Sequence, residues 1–172
     1  MGKKGDTPWL DALETRAWRS MVSVHARLLA CLDSELQASS GLSLPDYEVL
    51  VHLSEAEGQR MRMSDLAEHL DISPSGLTRR LDGLVAAGLV DRVQCPEDRR
   101  GSFAVLTRLG YGRLSEAAPE HAAQVRRHFA DRLTRRQLTS LAEAMEALGA
   151  GGAGCTSGAR EDGGVPGAGE PD

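Results

Sequence analysis

A run of small and basic residues lies between positions 73 and 80: Ser73, Ser75, Gly76, Thr78, Arg79 and Arg80. Their chemistry is recognition of a polyanion. A guanidinium can bridge two neighbouring acceptors on a purine edge, and hydroxyls and free backbone N–H groups suit phosphate oxygens. Leu77, Leu81, Leu84 and Val85 recur among them at helical core spacing. With Leu77 and Leu81 turned inward at 100° per residue, Ser75, Gly76, Arg79, Asp82 and Gly83 fall on the far side, with Thr78 and Arg80 at its margins. The first half of that face is small enough to approach base edges closely, and Arg79 is the side chain placed to reach guanine O6 and N7. Arg80 is placed for a phosphate or for Asp82. Two arginines on a surface helix more often serve solubility, so the weight rests on what surrounds them.

Those surroundings read as a helix, a tight turn and a second helix, followed by a hairpin. Ser64 is the expected cap of the first helix, which turns Leu66, Ala67 and Leu70 inward; Asp71 and Ile72 make the turn. Ser73 is a strong N-cap and Pro74 occupies the favoured first helical position. Gly88 ends the helix. Residues 89–93 and 103–106 read as short strands around the polar turn Pro96-Glu97-Asp98-Arg99-Arg100-Gly101. Arg99 and Arg100 at that tip can enter a minor groove, and Asp98 is expected to pair with an arginine and fix the loop. A helix for the major groove with a basic loop beside it is the pattern of a winged helix-turn-helix, whose partner is double-stranded DNA.

The rest of the chain must position this motif. From Trp9 to about Gln37, apolar residues at Leu10, Leu13, Ala17, Met21, Val24, Leu28, Cys31 or Leu32, and Leu36 step by three and four. Such a helix is about 42 Å long, more than a small winged-helix core can cover, so part of its stripe is expected to pack on a second subunit. Ser43, with Asp46 and Pro45, starts a helix burying Tyr47, Val49, Leu50 and Leu53, and residues 57–62 read as a polar break. Thr107 caps a helix that Pro119 is expected to kink or interrupt, with His121 to Leu133 continuing it. Thr134 and Gln137 form a capping box for a last helix through Leu148. The expected organisation is a flexible segment 1–8, a single domain 9–148 and a Gly-rich acidic tail 149–172 too polar to order. Within the domain, residues 44–107 carry the winged motif and about 9–37 and 113–148 the dimerisation helices. The fold class is mainly α with a small β component (α+β).

Composition is compatible with this assignment. The chain has 172 residues and a formal net charge of -5, unusual for a nucleic-acid binder. After Gly149, however, a single basic residue, Arg160, faces Glu161, Asp162, Glu170 and Asp172, whereas arginine pairs occur at 79/80, 99/100, 126/127 and 135/136. Local charge outweighs the sum. No apolar run approaches a membrane span. The start lacks the apolar segment of a signal peptide, and three widely spaced cysteines do not make a disulfide framework, so a cytoplasmic setting is expected.

The phrase SDLAEHLDISPSGLTRRLDGLVAAGLV, the wing DRRGSFAVLT and the following Gly110 resemble the MarR family of bacterial winged-helix regulators, over about Trp9 to Leu148. The resemblance implies that Ser73 to Arg80 begin the recognition helix, that Asp98 and Arg100 are the wing aspartate and arginine, with Arg99 adjacent, and that residues 46–50 belong to the bracing second helix. It further implies a homodimer with interleaved terminal helices on a pseudo-palindromic operator. Such a regulator is usually a repressor, often released by a small aromatic or other organic effector.

Effector and redox chemistry leave fainter marks. Trp18, Met21, His25, Tyr47 and His52, on the first two helices, are candidates to line an effector cavity, although packing or surface roles are commoner for such residues. Cys31 reads as a small hydrophobe late in the first helix. Cys95 lies near Arg92, Arg99 and Arg100, where cations favour a thiolate and oxidation would disturb DNA contact, which makes a redox-responsive regulator the alternative reading. The five histidines offer no tight ligand spacing, so neither a metal nor a cofactor is expected. No phosphate loop, HExxH or nucleophile elbow supports an enzyme. A degenerate winged helix serving only protein–protein contact is the remaining competitor.

Overall fold

The computed structural model describes residues 8–95 and 101–151. Six helices and three strands follow in the order α1 (Ala12–Ser40), α2 (Leu44–Glu55), β1 (Arg60–Arg62), α3 (Met63–His69), α4 (Pro74–Ala86), β2 (Val90–Gln94), β3 (Ser102–Leu106), α5 (Arg108–His128) and α6 (Arg135–Gly151). Single 3-10 turns at Glu57–Gln59 and Ala130–Arg132 complete the chain path. This is the mainly helical fold with a small β wing expected of a winged helix-turn-helix. Among the described residues, those up to Arg132 form one compact unit and those from Leu133 to Gly151 a second.

Local chemistry explains most boundaries. Asp11 and Glu14 close a capping box on α1: Glu14 N–H donates to Asp11 Oδ1 at 2.8 Å and Asp11 N–H to Glu14 Oε2 at 2.7 Å. Gly41, in the left-handed region at φ 71°, ends that helix. Ser43 Oγ accepts from Asp46 N–H and donates to the Asp46 carboxylate, and Pro45 sits in the first turn of α2. Thr134 and Gln137 cap α6 through reciprocal bonds.

Five boundary expectations change. Ser64 does not cap α3; Arg62 occupies that position without a side-chain bond, and Ser64 Oγ donates to Asp65 instead. The supposed polar break contains a strand, β1, pairing antiparallel with β3 in the order β1-β3-β2. Pro119 lies inside a continuous α5, where it removes one N–H without ending the helix. That helix stops at His128, followed by a 3-10 turn, rather than running to Leu133. Finally, α6 extends through Gly151, three residues into the segment assigned to the tail. Residues 1–7, 96–100 and 152–172 lie outside the described residues.

The core of the first unit is aliphatic. Leu36, Val49, Leu50, Leu53, Leu66, Leu77, Leu81 and Val90 are fully enclosed, with Ala67 and Ala104 where elements cross closely. Of the stripe read along α1, Leu32 and Leu36 are buried in this core and Leu28 packs against it; Leu13 and Val24 are exposed, as are Trp18 and Val22 beside the stripe. Val85, assigned to the core by its spacing, is 37% exposed, because the buried face of α4 narrows to Leu77, Leu81 and Leu84.

Candidate nucleic-acid interface

The interface is built on α4. Ser73 holds extended geometry (φ -65°, ψ 151°), and its Oγ accepts from Gly76 N–H at 3.1 Å. Ser75 Oγ lies 3.2 Å away from that oxygen, and Thr78 Oγ1 donates back to the Pro74 carbonyl at 2.9 Å. The preceding turn reverses the chain at Asp71, whose φ of 50° is a conformation that aspartate tolerates better than most residues. The Ile72 N–H closes the turn on the Ala67 carbonyl at 3.0 Å. Ser75, Gly76, Thr78, Arg79, Asp82 and Gly83 are exposed and Arg80 is half-buried, the distribution that the 100° stepping requires.

Gly88 (φ 70°) terminates the helix, with Leu89 N–H donating to the Leu84 carbonyl at 2.9 Å, and sends the chain into β2. The β2–β3 hairpin pairs Val90 with Leu106 through Gln94 with Ser102, and Cys95 N–H adds a bond to the Gly101 carbonyl. Arg92 on β2 ties the hairpin to α4: its Nη2 donates to the Thr78 carbonyl at 2.7 Å and its Nη1 pairs with Asp82 at 2.9 Å. Asp82 therefore engages Arg92, and of the two roles open to Arg80, a phosphate or Asp82, the second is taken by another residue. Arg80 is left as the phosphate candidate.

The other end of the hairpin is anchored at Thr107. Its Oγ1 donates to the Gly88 carbonyl at 2.7 Å and accepts from Gly110 N–H at 2.9 Å. Gly110 packs so tightly that a Cβ there would overlap the Leu89 carbonyl oxygen. Helix, hairpin and the start of α5 are thus joined by short polar contacts.

Two basic residues escaped the sequence reading. Arg60 and Arg62 on β1 place their guanidinium carbons 5.4 Å from the Phe103 ring centroid, Arg62 directly across from Phe103 and Arg60 two positions along. Both therefore stand at the base of the wing. Their signal was the alternation Arg60-Met61-Arg62, too short to announce a strand. The wing residues Asp98, Arg99 and Arg100 lie outside the described residues. Cys95 is buried, at 6% exposure, with Arg62 Nη2 3.8 Å from its sulfur.

The effector candidates have different surroundings among the described residues. Trp18 and His25 are exposed on α1 and Met21 is half-buried. On α2, Tyr47 packs on His121 with ring centroids 4.6 Å apart, and burial pushes its phenol pKa up. His52 meets His69 edge-on at 5.9 Å. Two surface hollows, one along the start of α1 and one along the start of α5, include none of these five side chains. Near Tyr47, His121 Nδ1 is buried without a hydrogen-bond partner among the described residues, as is Oε1 of Gln124 on the same helix.

Comparison with known proteins agrees with this architecture. Residues 40–101 match the model described as MarR family. AbsC, a MarR family transcriptional regulator from Streptomyces coelicolor, is 45% identical, with a TM-score of 0.79 across 84% of this chain and 97% of AbsC. The chain belongs to the MarR family. A second MarR family regulator from Streptomyces coelicolor, Sco3205, solved in complex with DNA, is 38% identical with a TM-score of 0.81 over 86% of this chain and 92% of that one. The HTH-type transcriptional repressor YetL of Bacillus subtilis (strain 168) is 32% identical over 88 residues, 51% of this chain; the match spans about half of YetL, 53%. MarR proteins are regulators of transcription, not enzymes. Among the described residues of this MarR chain no helix is long and apolar enough to cross a membrane.

Proposed function

We propose that this MarR protein is a sequence-specific, double-stranded-DNA-binding transcriptional regulator that acts as a homodimer and represses until a small organic effector releases it. The observation that carries the DNA-binding reading is the exposed face of α4. Small residues and Arg79 project from a helix opened by Ser73, and Arg92 fixes that helix to the wing strand. The relative Sco3205, solved with DNA, and the repressor YetL support the same reading. Dimerisation is supported by Leu13, Trp18, Val22 and Val24, a set of apolar side chains on α1 left exposed in one chain. Effector release rests on the family resemblance. The redox alternative loses support from the burial of Cys95.

The test is binding to duplex DNA flanking the protein's own gene at several salt concentrations. Phosphate contacts release counterions, so log K should fall linearly with log salt at about -0.9 per contact, and a scrambled duplex should bind far more weakly. Binding insensitive to both salt and sequence would instead support a protein-interaction module.

A further inference from the structure

Cys31 was read from the sequence as a small hydrophobe, and its helix turn gave no sign of other chemistry. The fold surrounds its sulfur with polar groups. Glu35, one turn further along α1, places Oε1 3.7 Å from Cys31 Sγ. His128, in the last turn of α5 and 97 residues away in sequence, places Nε2 at 3.7 Å from the same sulfur and 2.8 Å from Glu35 Oε1. All three residues are half-buried, at the junction of two helices within one compact unit. The bond to His128 is the main influence that lowers the Glu35 pKa, and Arg127 acts in the same direction.

We propose that Cys31, Glu35 and His128 form a site for a thiophilic divalent cation, zinc in the first instance. A zinc ion with bonds of about 2.3 Å to sulfur and about 2.0–2.1 Å to nitrogen or oxygen in a tetrahedron separates its ligands by about 3.5 Å on the sulfur edges and about 3.3 Å on the N–O edge. The two sulfur edges, at 3.7 Å each, already lie within a few tenths of an ångström of that requirement. The His128–Glu35 edge must open from its hydrogen-bonded 2.8 Å by about half an ångström, and, because Nδ1 of His128 is nearly as close to the sulfur, at 3.9 Å, the ring must also turn to aim the Nε2 lone pair at the ion.

The donor set selects the metal. Thiolate, imidazole and carboxylate together suit zinc, whereas magnesium and calcium demand oxygen. On binding, the Cys31 thiol gives its proton to solvent, and the proton that His128 Nε2 donates to Glu35 Oε1 leaves as well, to solvent or with the ring protonated at Nδ1 instead, so that thiolate, neutral imidazole and carboxylate bond to the cation and the two anions balance its two positive charges. Arg127 Nη2 holds the other Glu35 oxygen, Oε2, at 2.9 Å and lies 3.7 Å from Glu120 Oε1. It orients the carboxylate so that Oε1 stays on the side of Cys31 and His128, the kind of outer contact that tunes bound metals. Three protein ligands leave a fourth position for water or another exchangeable group. Metal there would pin α1 to the end of α5.

Cobalt(II) titration of the chelator-treated, reduced full-length protein tests the site. One cobalt per chain is expected, with a thiolate-to-cobalt charge-transfer band in the near ultraviolet that zinc abolishes. C31S should lose the band and C95S should keep it. E35Q and H128Q, checked for native helicity by circular dichroism, should each weaken binding by at least about 100-fold, above the range for outer-contact losses. A missing band in the native protein, a band that survives C31S or vanishes in C95S, or native affinity in H128Q would overturn the assignment. Because H128Q alters the other helix, the test stands even if C31S fails to fold.

Discussion

Replacing Gly110 with alanine should destabilise the fold, whereas the same change two residues later should stabilise it. A Cβ at Gly110 overlaps the Leu89 carbonyl oxygen and comes within 2.8 Å of Leu106 Cδ1; at Gly112 it meets nothing within 4 Å. Overpacking of this kind costs about 1–3 kcal/mol. The Leu89 carbonyl that must yield accepts from Thr107 N–H at 3.1 Å, and losing that bond costs about 0.5–1.5 kcal/mol more. Alanine returns about 1 kcal/mol of helix propensity in either place. The balance is a net loss of about 2 kcal/mol for Gly110→Ala and a gain of about 0.5–1 kcal/mol for Gly112→Ala. Urea unfolding followed by circular dichroism reads the difference. All variants must be compared at one protein concentration, because association of the proposed dimer would contribute to apparent stability. If both variants move stability equally and in the same direction, the close joint between the wing and α5 is not what constrains Gly110.

Arg79→Ala should cost about 1–3 kcal/mol of operator affinity per half-site and relax sequence preference, because it removes the outward guanidinium of α4; binding isotherms on operator and scrambled duplexes check it. Arg80→Ala should weaken binding to both duplexes alike and flatten the salt slope by about one contact. Ser73→Ala removes the oxygen that accepts from Gly76 N–H and should lower unfolding stability by about 1 kcal/mol, measured by urea denaturation. Val24→Asp places a charge on the exposed apolar face of α1 and should shift the protein from dimer to monomer in sedimentation velocity; an unchanged dimer would move the interface elsewhere.

Much of the winged motif is local, and for that reason it was legible. The Ser73–Pro74 start, the Leu77/Leu81/Leu84 spacing and the Gly88 stop each act within three or four residues of one another, the range over which a helix hydrogen bond or a cap operates. The Thr107 and Thr134 caps and the exposed stretch of α1 belong to the same class. Local cues also misled. Ser64 has the chemistry of a cap, yet the formation of β1 starts α3 two residues earlier than that cap would, and Val85 keeps core spacing on a helix whose buried face is narrower than its apolar stripe. What tertiary structure decided are meetings across long separations. β1 exists because the edge of β3 offers it backbone partners, Arg60 opposite Val105 and Arg62 opposite Phe103; three residues have no intrinsic reason to extend. Asp82 faces Arg92 because β2 returns beside α4. The sulfur of Cys31 meets the imidazole of His128 only because α5 packs along α1, and no spacing rule spans 97 residues. The sequence alone determined which helix presents its polar face, since that depends on periodicity; which distant side chains share a site depended on packing, which periodicity does not encode.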